Sequence, residues 1–214
     1  MILKLGTSKV DITPTVPVGL AGFVHRKEKT TEVYNELYVK TFVFRNDGKV
    51  IVLIIADLIW WDSTIVEQLR GDIETKYAVP RVHICFHATH THSGPQISER
   101  FSEKLGKSCQ NYVAYLESQV MTSIQEAMEQ IEEVHVEFGK GTSDIGVYRR
   151  KKKNGRIQMM PNESVPVNDD LTVIRFSTDK GNEKAMFIHF SCHPTTTDVN
   201  VISSEYTGVC CEEI

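Results

Sequence analysis

Three histidines stand where a chain could do chemistry. Ala88-Thr-His-Thr-His-Ser-Gly-Pro95 places His90 and His92 two residues apart, directly after Val82–His87, a short run of apolar and β-favouring residues that reads as a buried strand. In an extended chain, residues i and i+2 point the same way, so both imidazoles are expected to face one small volume. Ser93-Gly94-Pro95 then ends the strand and turns the chain. A second stretch, Ala185 to Asp198, repeats the pattern, with His193 at the break and Pro194 fixing the exit. Two such strand ends can converge on one ion. Nitrogen donors favour zinc over calcium or magnesium, while iron, copper and nickel also accept imidazole. His83, His87, His135 and His189 lack the turn residues and are expected to be satisfied core histidines.

The elements that must carry these residues follow from periodicity. Lys49–Asp57 is an apolar run that predicts a central strand covered on both faces. It ends at Asp57, a candidate for the substrate or outer shell of a site, with a cap or structural hydrogen bond as the plainer role. Asp62, Ser63 or Thr64 can cap a helix whose stripe is Ile65, Leu69 and Ile73, and Pro80 ends the connection. Strand, helix and the His-bearing strand make a βαβ unit with parallel strands, which sets Asp57 and His90 at one edge of the sheet.

Upstream, Leu3–Thr13 predicts a first strand, and Glu36–Asn46 pairs with the central run across Asn46-Asp47-Gly48, a hairpin signal. The intervening Thr15–Glu32 reads as a long loop carrying His25 and Arg26, as readily solvated as functional. Downstream, Gln96–Lys107 is a polar loop over the site and Gln110–Ile131 a second helix. The remainder is mostly β, with a hairpin at Asn154-Gly155. Arg149–Lys153 leads into that turn, so a solvated tip is the first reading and anion binding by Arg149 or Arg150 the sharper one. About nine strands against two complete helices imply an α/β fold with mixed β-sheets packed on each other and helices outside, in one domain over 1–214. A single mixed sheet with helices on one face is the alternative.

A net charge of -4 gives no reason to expect nucleic acid as a partner. No run reaches the ~18 apolar residues of a membrane span, and the N-terminus lacks a signal-peptide pattern, so a cytoplasmic location is expected. The five cysteines are odd in number and without Cys-x-x-Cys spacing. They read as reduced, buried thiols.

Taken together, Val10-Asp-Ile-Thr-Pro14, Ala21-Gly-Phe23, Ile55-Ala-Asp57, the His90–Pro95 block, His193-Pro-Thr195 and Ile202–Gly208 occur in the order found in the neutral/alkaline, non-lysosomal ceramidases, which this chain resembles along nearly its whole length. The resemblance implies that His90 and His193 are zinc ligands and that His92 lies near the metal with a part in catalysis. It implies a hydrolase that cleaves an N-acyl amide into a fatty acid and a sphingoid base. In that family a Glu and a Tyr ligand and the catalytic serine lie downstream of the Ile202-Ser-Ser stretch. Two positions depart from the pattern: Glu205 stands where Asp is usual, and Tyr148 where many bacterial relatives carry Asn.

The chain is therefore expected to be the N-terminal part of a catalytic domain, its end reading as a helix without a C-cap, and to be inactive alone. Other readings remain: a metallohydrolase of the amidohydrolase type, in which His-x-His follows a strand, or a binding module on the same scaffold. A downstream Glu, Tyr and Ser would favour the amide hydrolase.

Overall fold

The computed structural model describes residues 2–213, and in them the chain forms nine strands and three α-helices, a mixed α/β fold. Its contacts divide it into two compact units, residues 1–133 with 194–214, and residues 134–193.

In the first unit β1 (Lys4–Asp11), β2 (Tyr38–Asn46) and β3 (Lys49–Ala56) pair antiparallel, and β4 (Ile84–Ala88) adds in parallel to β3. The β2–β3 hairpin turns through Asp47 (φ 47°) and Gly48 (φ 75°), the positive pair that a two-residue turn requires. Between β3 and β4 runs α1 (Ser63–Tyr77), with Ile65, Leu69 and Ile73 buried as the stripe predicts. The βαβ unit is thus present, and Ala56 pairs with Ala88, so Asp57 and the His block leave the sheet at the same edge.

Asp62 is the cap: its Oδ1 accepts from the Thr64 amide at 2.7 Å, and its Oδ2 accepts from Ser98 Oγ. Burial alone would raise this carboxyl, but those bonds outweigh it and hold the group below the usual carboxylate range. The depressed value means that Asp62 stabilises the fold above pH ~4 and loses that contribution as pH falls through its folded value. Asp62→Ala should cost ~1 kcal/mol at neutral pH and less in acid. Urea titrations at both pH values check it, and an equal loss at both would refute the electrostatic part.

α2 (Gln110–Glu129) lies on β1 and β2. It approaches closely because Gly6 has no side chain: a Cβ there would come within 1.9 Å of the Ala127 carbonyl. Both helices share one core with Val52, Ile54 and Ala56 of β3. The other face of β3 is not covered as expected, and Ile51 is exposed, because both helices pack on the same side. Edge position explains a second difference. Among the described residues β4 has β3 as its one strand neighbour, and Cys85 and His87 on it are exposed, not buried. Cys211 is exposed as well, and Cys109, Cys192 and Cys210 are half-buried.

The second unit is built of β5 (Glu132–Thr142), β8 (Asp170–Thr178) and β9 (Glu183–Phe190), antiparallel in that order. The first two residues of β5 belong to the first unit, where they pair with Leu5 and Lys4 of β1. β6 (Arg150–Lys153) and β7 (Arg156–Met159) make a separate exposed hairpin through Asn154-Gly155. His135 and His189 lie exposed on β5 and β9, so neither is a core residue; His135 sits 3.0 Å from Asp179. His83 is half-buried at the entry to β4. No helix among the described residues is long and apolar enough to cross a membrane.

Candidate metal centre

The His block leaves β4 through a turn, not as a continued strand. His90 adopts φ 68°, a left-handed conformation that a non-glycine residue rarely takes and that tends to mark functional turns. The turn achieves what strand alternation was expected to do: the His90 and His92 rings meet edge-on with centroids 5.0 Å apart. His90 Nδ1 lies 2.7 Å from the Ile59 carbonyl. A carbonyl can only accept, so Nδ1 carries the proton and the neutral ring's lone pair is on Nε2. That arrangement suits a metal ligand, whose second nitrogen is ordinarily oriented by such a carbonyl.

His92 is held on every side. Its amide donates to Pro194 O at 3.4 Å, and its carbonyl accepts from Arg26 Nη1. Phe23 meets its ring edge-on at 5.3 Å. Gly22, at φ 110°, lies under the ring, and a Cβ there would stand 2.6 Å from His92 Nδ1. The flanking residues are fixed to the returning segment: Thr91 Oγ1 donates to Ser203 O at 2.7 Å, and Ser203 N donates to Ser93 O at 3.0 Å.

His193 is the last residue of the second unit and is bonded to Pro194, the first residue of the returning segment. Pro194 itself belongs to the first unit, where its carbonyl accepts from His92 N. Within its own unit, His193 Nδ1 lies 3.2 Å from Arg149 Nη2. Arg149 is half-buried, whereas Arg150 opens β6, exposed, with Nη1 on Met159 Sδ. Of the two arginines, then, Arg149 meets a histidine of the motif.

Asp57 is fully buried at the shared edge, but its Oδ2 accepts from the Tyr38 amide at 2.9 Å and from Lys40 Nζ at 3.3 Å. Those bonds tie the end of β3 to β2. The plainer of its two expected roles accounts for them.

A family model described as "Neutral/alkaline non-lysosomal ceramidase, N-terminal" matches residues 3–212. The chain belongs to that ceramidase family. Its fold is similar to that of a neutral ceramidase from Pseudomonas aeruginosa, with a TM-score of 0.80 at 21% identity, covering 97% of this chain and 35% of that one. A ceramidase complexed with C2 gives 0.80 at 19%, covering 97% and 34%. No match was found among curated proteins. The chain thus spans about a third of the ceramidases it matches in structure.

Two residues of the site were not legible as such. Arg26, read as readily solvated as functional, is buried, and burial lowers its pKa from the usual arginine value against the opposing charges of Glu205 and Asp198. Glu205, noted only as a departure from the family pattern, is 2% exposed and has φ 54°. The signal for Arg26 was its place in a glycine-interrupted loop beside Phe23. For Glu205 it was an acidic residue inside an otherwise uncharged Ile202–Gly208 stretch.

Proposed function

We propose that this chain is the N-terminal part of a zinc-dependent hydrolase that cleaves an N-acyl amide bond, with His90 and His193 as the metal ligands that the family resemblance implies and His92 beside them. The observation that carries this reading is the His90–His92 pair, with His90 oriented through Ile59. Membership of the ceramidase family supports a hydrolase and a lipid amide as substrate.

In this reading His90 and His193 hold the ion and His92 handles the proton. A zinc ion there would polarise the amide carbonyl and lower the pKa of a bound nucleophile. His92 is suited to general acid or base work because its backbone is pinned on both sides and its ring is confined by Gly22 and Phe23. Arg149, against His193, is the residue placed to meet developing negative charge; Arg150 and Asp57 are assigned no contact with substrate. A catalytic zinc takes about three protein ligands and one open position. The chain spans about a third of the ceramidases it matches in structure, and residues 1–214 by themselves are expected to bind metal weakly and to turn over nothing.

The full-length protein should hydrolyse N-acyl amides with an aliphatic acyl group. Assaying a panel of N-acyl amides beside carboxyl and phosphate esters tests this. Cleavage of esters alone would overturn the amide assignment while leaving a metallohydrolase in place.

A further inference from the structure

One group in the first unit is buried, charged and unused by the mechanism above. The Arg26 guanidinium makes four hydrogen bonds, and three end on main-chain carbonyls. Nε donates to Asp198 O at 3.1 Å, Nη2 to Thr197 O at 3.2 Å, and Nη1 to His92 O. The fourth runs from Nη2 to Ser93 Oγ at 3.2 Å. Ser93 Oγ in turn donates to Glu205 Oε1 at 3.0 Å. The other oxygen of Glu205 accepts from both the amide and the hydroxyl of Thr196, the latter at 2.8 Å. Arg26 also lies over the Phe23 ring, 4.6 Å from its centroid, and Phe23 is the residue that meets His92 edge-on.

We infer that Arg26 is a positioning residue for His92, and that with Ser93 and Glu205 it forms a buried clamp locking the His block to the segment following His193. The inference rests on the catalytic role given above to His92. Carbonyl contacts set main-chain positions, and here one cation fixes the carbonyl of His92 and those of Thr197 and Asp198 together. Burying a guanidinium is costly unless its donors are met and a counter-charge is near. Here the oxygens meet the donors and Glu205 supplies the charge through Ser93. Lysine is a poor substitute, since a single ammonium cannot reproduce a planar fork aimed at separate carbonyls. The left-handed backbone of Glu205 belongs to the same clamp: in that conformation the side chain reaches Ser93 and Thr196 while its own amide donates to Ser203 Oγ at 3.0 Å.

The test uses the full-length protein with Arg26→Lys, Arg26→Gly and Ser93→Ala, read by kcat, KM, zinc content and hydrogen–deuterium exchange of peptides spanning 90–98 and 194–205. Arg26→Lys should lower kcat by ~10²-fold, because a displacement of about 1 Å in a catalytic group costs that much, with KM and zinc changed by less than about threefold. Added guanidinium should restore a measurable part of kcat in Arg26→Gly and none in Arg26→Lys, where the lysine side chain fills the site. Exchange should rise in both peptides and stay unchanged in α1. Ser93→Ala, which keeps the three carbonyl contacts, should show the same local exchange and a smaller fall in kcat. If Arg26→Gly does not fold, Ser93→Ala and Arg26→Lys still decide. Wild-type kcat and exchange in Arg26→Lys would overturn the clamp. A wild-type protein that hydrolyses no amide would count against the proposed function, while faster exchange of the two peptides in Arg26→Lys than in that wild type would still support the clamp.

Discussion

His90→Ala in the full-length protein is expected to abolish metal binding and reduce activity to background while leaving most of the fold intact. The ring is half-buried at the exit of β4, and it lies outside the core shared by α1, α2 and β3. The substitution removes the bond to the Ile59 carbonyl, worth ~1 kcal/mol, and the edge-on contact with His92, neither of which belongs to that core, so circular dichroism should be nearly unchanged. His193→Ala should behave in the same way. His92→Ala should instead retain most of the metal and lose rate by ~10²-fold or more, as removal of a general acid or base does. Zinc content measured beside rate on the three variants separates ligand from proton carrier. Wild-type zinc content in His90→Ala would refute the assignment of the centre.

Gly22→Ala should be nearly as damaging without touching a reactive atom. Two penalties coincide there. Alanine is strained at φ 110°, and its Cβ would stand 2.6 Å from Nδ1 and 2.8 Å from Cγ of His92, so ring or loop must move. Since the main chain of His92 is bonded on both sides, displacement falls on the ring and on Phe23 beside it. A fall in kcat of ~10²-fold is expected, with zinc retained on His90 and His193. Gly48→Ala is the control: its φ of 75° is also positive, but its Cβ would meet nothing within 4 Å. It should cost stability of about 1 kcal/mol without a comparable loss of rate. Equal rate losses in the two variants would show that backbone strain, not the His92 contact, is responsible.

Much of the scaffold was readable because burial imposes a period on sequence. The stripe Ile65, Leu69 and Ile73 and the turn at Asp47-Gly48 each reflect one local rule. Local rules also put the His90–Pro95 block at the end of the strand, where the chain does turn. They failed where the answer depends on what covers a face. His87 and Cys85 look like core residues in an apolar run, yet β4 is an edge strand with one face open. The histidine turn was read as extended because no residue type announces a left-handed histidine; contacts from Leu58 and Ile59, about thirty positions earlier, accompany it. Arg26 was the hardest to read. Its partners at Thr197 and Asp198 lie 171 and 172 positions away, and nothing in a glycine-rich loop discloses them.

That separation bears on how the protein is made. β1 to β4 and their two helices are complete by Glu129, so their pairing can begin while the rest of the chain is still being synthesised. The carbonyls that Arg26 holds, and the carboxylate that closes the clamp through Ser93, come only with residues 197 to 205. Closure of so long a loop is among the slower events of folding. A nascent chain that has not reached Glu205 therefore has strands β1 to β4 but not yet the hydrogen bonds that tie His92 and Ser93 to the returning segment.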